Sequence, residues 1–260
     1  MDKSLLLPRE KYAEVAQKYG EASIMFEIEN DKQSLFYFGA NHSLNPDNPQ
    51  YQALREYWDR FLDTTKGKDR IVLIESGLRK VRENEETAIM AGSEGSLITL
   101  FAYRENISVA SPDIGDSDLM DLLPNLNKEE FLLYLFLVQL NHSQRISPRP
   151  PFEKDFQFWC ENTKQRKLWQ DTDISLPILK ELYKKILGKE FDEDDDTNHL
   201  INPNRNETPI NKFARARSDL RDLNIASEIE RYWKEGKSIF AVFGMGHLII
   251  EEPALRKTLI

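Results

Sequence analysis

Four histidines and one cysteine are the chain's whole stock of imidazole and thiol, and two of the histidines share a local setting. In Leu35-Phe36-Tyr37-Phe38-Gly39-Ala40-Asn41-His42 and in Ile239-Phe240-Ala241-Val242-Phe243-Gly244-Met245-Gly246-His247, an apolar run ends in glycine, two residues intervene, and a histidine follows. Ligands of α/β sheets bind beyond the carboxyl ends of strands, where side chains leave the core and meet solvent. Glycine lets the backbone turn there and lets a substrate or metal approach closely. A histidine just past it can act as metal ligand or general base. One G-x-x-H says little alone; two copies, at matching strand ends far apart in the chain, say more, with chance repetition among four histidines as the competing account.

Carboxylates stand at further apparent strand ends. Glu75 follows the apolar run Ile71-Val72-Leu73-Ile74. Partial desolvation there raises a carboxyl pKa and suits proton transfer, unless a cation keeps the group ionised. Asp113 follows Ser111-Pro112, and Glu94 lies in Ala91-Gly92-Ser93-Glu94-Gly95 near an expected helix start, where the helix dipole alone would favour it. His42, Glu75 and His247 can together hold Mn, Zn, Co or Fe with positions open for water, lowering the pKa of that water to roughly 7. Asp113 and Glu94 are further candidate ligands. The metal-free alternative needs a histidine base backed by a carboxylate and a cation for the developing negative charge. Arg221, Arg217 or Arg215 can supply that cation, and Arg217, Arg221 and Ile225 fall on one helix face. For Arg215 and Arg217, a solvated face paired with Asp219 and Asp222 is the equal alternative.

In chain order, Gly39 to His42, Glu75, Glu94-Gly95, Arg221-Asp222 within RSDLRDLNIASEIERYW, and Gly244 to His247 followed by Leu248 resemble the erythromycin-esterase-like, ChaN-like and Tiki/TraB superfamily. The resemblance spans about residues 34–115 and 215–250 and leaves the middle of the chain uncovered. It implies a two-halved α/β fold whose strand ends converge on one pocket and, for many members, a hydrolytic activity. Tiki-like members are metal-dependent, with histidines and carboxylates as ligands. Erythromycin-esterase-like members use a histidine base without a bound metal, and ChaN-like members are associated with iron or haem. The resemblance places His42, Glu75, His247 and Arg221 in catalytic positions. This chain departs from the pattern at Ala40-Asn41, where relatives commonly have Thr, and at Asp113, where they often have Glu. The shorter Asp113 puts its metal ligation in doubt more than that of the histidines or Glu75.

The other candidates read as structural. His142 ends an apolar helix, where a C-terminal dipole favours imidazolium. His199 sits in the acidic run 190–207, EFDEDDDTNHLINPNRNE, which lacks the central glycine of an EF-hand loop and reads as a solvated loop or lid. Cys160, among Phe156, Phe158 and Trp159, reads as a small buried hydrophobe. No G-x-S-x-G, P-loop or H-E-x-x-H is present.

The elements that position these residues follow from periodicity. Residues 11–19 read as a short helix, and Ile24–Ile28 and Leu35–Phe38 as a hairpin about Glu29-Asn30-Asp31-Lys32. Leu54, Trp58 and Phe61 mark one face of a helix. Ile71–Ile74, Ile107–Ala110 and Ser238–Phe243 read as buried strands, the first and last apolar on both faces. From about Asp116 to Leu187 the pattern is helical: Phe131, Leu132, Tyr134, Leu135 and Val138 in one segment, Phe156, Trp159 and Leu168 in a second, Leu179, Leu182 and Ile186 in a third. Residues 210–233 return to helix. The expected fold is one α/β domain with a central, mostly parallel sheet of two related halves and flanking helices. Its core covers about 20–115 and 208–260, and a helical insertion covers about 116–190.

Composition narrows the function classes. With 44 acidic and 35 basic residues the net charge is −9, which repels a phosphate backbone, so no nucleic-acid partner is expected. One cysteine excludes an intramolecular disulfide and a cysteine-rich zinc site. The three-leucine run before Pro8 is too short for a signal-peptide core and no segment reaches membrane-spanning length, so a cytoplasmic chain without a membrane span is expected. Three readings stand. One is an esterase- or peptidase-like hydrolase acting on a small-molecule or peptide substrate, with or without a divalent metal. The others are a metal- or haem-binding protein without turnover and a catalytically inactive interaction module.

Overall fold

The computed structural model of the chain describes residues 1–20, 23–122, 127–144 and 149–260. In order, the elements are α1 Tyr12–Ala16, β1 Ile24–Glu29, β2 Ser34–Ala40, α2 Gln50–Thr64, β3 Arg70–Ile74, α3 Glu85–Arg104, β4 Ser108–Ala110, α4 Asp116–Leu122, α5 Lys128–Gln144, α6 Phe152–Lys164, α7 Leu176–Leu187, α8 Asn198–Ile201, α9 Pro209–Lys234, β5 Ser238–Gly244 and α10 Met245–Thr258. They group into two compact units, one formed by Met1–Asp113 with Arg221–Ile260 and the other by Ile114–Leu220.

The first unit holds a five-stranded sheet of order β1-β2-β5-β3-β4. Only β1 runs antiparallel, paired with β2 through the hairpin whose Asn30 Oδ1 accepts from the backbone N–H groups of Lys32 and Gln33. The other neighbours are parallel, with Ala40 opposite Gly244 and Ile74 opposite Val242. The apolar runs are continuous because both faces of the sheet are covered. Leu35, Tyr37, Ile71, Leu73, Ile239, Ala241 and Phe243 pack on one side with Ile225 and Ile229 of α9 and Leu248 and Leu255 of α10. Phe36, Phe38, Val72, Ile74, Phe240 and Val242 pack on the other with Leu54, Trp58 and Phe61 of α2 and Leu97, Ile98 and Phe101 of α3. Since β5 lies between β2 and β3, the carboxyl ends of three parallel strands stand side by side. The residues that follow them, His42, Glu75 and His247, leave the same edge.

The second unit is helical and has its own core, built on Phe131, Leu137, Trp169, Leu179, Tyr183 and Phe213. The helical reading of 116–187 holds for α4 to α7, while 123–126 and 145–148 lie outside the described residues. Leu168 falls in a separate 3-10 turn, Lys167–Trp169, rather than in α6. Residues 209–220, expected in the α/β core, pack with this unit because Phe213 stacks on Phe131 and meets the tilted ring of Tyr134. The acidic run is folded against its own unit, with Thr197 and Leu200 buried, Asp195 on Lys189 and Tyr183, and Asp194 on Arg149. Cys160 is half-buried, and burial pushes its thiol up to about 11. Among the described residues no helix is long and apolar enough to cross a membrane.

Candidate active site

Glu75 is the hub. Its Oε2 accepts from the Gly244 N–H at 2.7 Å and lies 3.5 Å from His42 Nε2; its Oε1 accepts from Arg221 Nη2 at 2.8 Å and lies 3.4 Å from His247 Nε2. The two G-x-x-H histidines, about 200 residues apart, therefore meet on opposite oxygens of one carboxylate. Arg221 also donates from Nε to Asp113 Oδ1 at 2.8 Å, and Asp113 accepts from the Ser76 N–H. Asp113, a candidate metal ligand from sequence, is thus an anchor for the arginine.

Each histidine has its own carboxylate on Nδ1. His42 Nδ1–H donates to Glu94 Oε1 at 2.5 Å, and His247 Nδ1–H donates to Asp222 Oδ1 at 2.5 Å. Glu94 reaches His42 because α3 breaks at Gly92 and Ser93 and restarts with Glu94, so the residue read as near a helix start sits at a restart inside a longer helix. Of the non-glycine residues with positive φ among those described, His42, Ser76 and Ser93 all border this cluster. Backbone strain of that kind gathers at functional sites and must be held by surrounding contacts.

The site extends below His247. Glu251, one helical turn on, has Oε1 at 3.8 Å from His247 Nδ1, and its Oε2 accepts from Tyr37 Oη at 2.8 Å. Arg9 donates from Nη2 to Asp222 Oδ2. Asp222, which one of the two sequence alternatives put on a solvated face, is 1 % exposed in its side chain. Arg215 and Arg217, the other arginines weighed for the cation, lie elsewhere: Arg215 donates to the Pro203 and Asn204 carbonyls, and Arg217 stands over the Tyr134 ring.

Electrostatics separates the two histidines. Burial lowers the His247 pKa, but the charges of Glu75 and Asp222 and the hydrogen bonds to them more than offset it, raising it to about 10. His247 is an imidazolium at neutral pH. Burial also lowers the His42 pKa, and the hydrogen bond and charge of Glu94, with the charge of Glu75, bring the net value above 6.5. Burial raises the Glu75 pKa, yet His247, Arg221 and His42 hold it well below 4.5. Glu251 goes the other way, pushed well above 4.5 by burial and by the charge of Asp222. Exposure separates the histidines too: the His42 side chain is 54 % exposed and that of His247 12 %.

The expected metal set fits poorly. Both oxygens of Glu75 already accept from nitrogen donors, and a guanidinium beside it opposes a second cation. Among the described residues the trio whose ligand atoms all lie within 4.8 Å of one another is Asp222, His247 and Glu251, which shares only His247 with that set.

Gly244 has no room for a side chain, since a Cβ there would lie 2.7 Å from His42 Nε2 and 3.3 Å from Glu75 Oε2. Gly244→Ala should therefore displace His42 from Glu75. A shifted NMR titration of its imidazole beside an unchanged circular-dichroism spectrum would show it, and an unshifted titration would mean that His42 has no such position to keep.

Compared with models of known families, with curated proteins and with solved structures, the chain matches none.

Proposed function

We propose that the first unit is a metal-independent hydrolase of ester or amide bonds in a small-molecule or peptide substrate, with His42 as general base. The observation that carries this reading is the exposure pattern around one carboxylate-held imidazole. His42 is half exposed, whereas Glu75, Glu94, Asp113, Arg221, Asp222 and His247 are each at most 16 % exposed in their side chains. With Nδ1–H committed to Glu94, the neutral ring presents the Nε2 lone pair to water.

Nε2 takes a proton from a water molecule as that water's oxygen attacks the carbonyl carbon. The imidazolium so formed lies between two carboxylates, Glu94 at Nδ1 and Glu75 at Nε2, and then passes its proton to the leaving oxygen or nitrogen as the carbon–heteroatom bond breaks. Negative charge on the carbonyl oxygen develops beside the cations His247 and Arg221, which Glu75, Asp113 and Asp222 hold in place. Low exposure strengthens these interactions relative to water. The resemblance to the erythromycin-esterase-like branch points the same way.

The base form of His42 is the neutral one, so kcat/KM should rise with pH through a value above 6.5 and then level off. The test is a pH–rate profile on p-nitrophenyl esters of short acids and on a peptide-anilide panel. No turnover of any member, or a rate that falls through that range, would overturn the reading.

One observation favours a second reading. Glu251 Oε1 is buried without a hydrogen-bond partner beside His247 and Asp222, so a divalent cation such as Mn, Zn, Co or Fe would find three ligands there. Binding would release the His247 Nδ1 proton. Metal analysis of purified protein, with a melting curve before and after chelation, decides it: a stoichiometric metal whose removal lowers the melting temperature supports the cation, and metal-free protein with full stability removes it.

A further inference from the structure

Arg79 lies on the segment between β3 and α3, four residues after Glu75. The other arginines at the site are matched, Arg221 by Glu75 and Asp113 and Arg9 by Asp222. Arg79 is not. Among the described residues it has no ion-pair partner, and its Nε is buried without a hydrogen bond. The rest of the side chain keeps part of its surface in water, so the cost falls on that one N–H, and what ordinarily satisfies a guanidinium N–H of this kind is a carboxylate or phosphate.

The backbone beside it carries no side chain at Gly95. Leaving aside its two chain neighbours and the helix's own backbone, the described atom that comes within 4 Å of where a Gly95 Cβ would stand is Arg79 Nε, at 3.8 Å. Arg79 Cδ lies 3.8 Å from the corresponding point at Gly92. The guanidinium therefore rests along the break in α3, over two residues without side chains. Gly95 adjoins Glu94, which holds the proposed base. In a chain of net charge −9, Arg79, Lys80 and Arg82 form a short basic stretch beside an acidic cluster.

We infer that Arg79 and the space over Gly95 form an anion subsite, so that the substrate carries a carboxylate or phosphate close to the bond that is cut. The planar fork of arginine fits either oxyanion through paired N–H donors. The inference rests on the hydrolase reading for the word substrate, but anion binding itself does not depend on turnover.

Melting curves at constant ionic strength test it, with inorganic phosphate and acetate each titrated against chloride. The wild type should be stabilised by phosphate, by acetate or by both, and whichever acts identifies the oxyanion. Arg79→Gln should weaken that anion about tenfold or more, the effect of one charge-assisted hydrogen bond, with little change in stability when no anion is present. Gly95→Ala keeps the arginine, makes only ordinary contacts and fills the space, so it should weaken the anion as well. His42→Ala should bind it like the wild type, which separates failure of the subsite from failure of the hydrolase reading. If Arg79 instead pairs with Glu94 Oε2, the second buried orphan of this region, Arg79→Gln would shift the pH–rate profile and leave anion binding unchanged. That outcome, or a wild type indifferent to both anions, overturns the subsite.

Discussion

His42→Ala is expected to reduce kcat/KM on a p-nitrophenyl ester by about 10²- to 10⁴-fold, the contribution of a positioned general base, while the protein melts close to the wild-type temperature. The second half of that expectation comes from exposure. Truncating a side chain that is 54 % exposed opens its space to solvent, so water hydrates Glu94 Oε1 in place of the imidazole. A surface deletion of this kind leaves stability within about 0.5 kcal/mol. The pH dependence should vanish together with the rate, because the residual reaction no longer contains the titrating base. Turnover at the wild-type level would falsify the assignment of His42; a large loss of stability would mean that the His42–Glu94 pair is a structural strut.

Glu75→Gln is expected to behave differently, losing stability as well as activity. Glu75 and Arg221 are 16 % and 10 % exposed, and His247 is 12 % exposed. Glutamine keeps the shape but removes the negative charge from between these two cations, and breaking a buried pair by neutralising one partner costs about 3–5 kcal/mol. Arg221 retains Asp113 and His247 retains Asp222, which places the loss toward the lower end. The pH window follows from the direction of each shift. The raised pKa of His247 means that its contribution is fully present below 6.5 and is lost as pH rises through about 10. The depressed pKa of Glu75 means that its contribution is present above 4.5 and is lost as pH falls through its folded value. Wild-type stability should therefore be highest between about 4.5 and 6.5 as far as this pair is concerned, and Glu75→Gln should flatten that profile and lower the His247 pKa. Denaturant unfolding at several pH values, with an NMR titration of the imidazole, reads both. A variant as stable as the wild type at pH 6 would show that the cluster carries no such coupling.

The strands of the site were legible because burial on both sheet faces leaves continuous apolar runs, and the same runs pointed to where His42, Glu75 and His247 emerge. What periodicity could not show was which polar neighbours turn inward. Asp222 stands in a charged stretch with Asp219 and Arg221, and nothing local says that it, rather than Asp219, is the buried one. Glu251 precedes Glu252 in a doublet, and only the four-residue step from His247 selects it. Tyr37 sits in a strand that is apolar at most positions, so its hydroxyl hid inside a packing signal. Arg9 gave no signal at all, since its partner is 213 residues away and the contact depends on how the first turns of the chain cross α9 and α10. Glu94 was found, but its reach depends on the break at Gly92 and Ser93, which a helical pattern passes over. The helical unit was readable as helix, while its boundary moved because Phe213 stacks with aromatic side chains of α5.

The placing of β5 between β2 and β3 has a consequence for how the molecule comes into being. Some 200 residues separate the end of β2 from the start of β5, which at ordinary rates of translation is roughly 10 to 40 s. Until β5 arrives the inner edges of β2 and β3 lack their native partner, and both strands are apolar at most positions, of the kind that recruits other chains. The hub carboxylate waits as well, for the N–H of Gly244 and for the second histidine arrive only with the final strand. Completion of the His42–Glu75–His247 cluster and closure of the sheet are thus one event, and a chain arrested before it would be an aggregation hazard with the cluster still unbuilt.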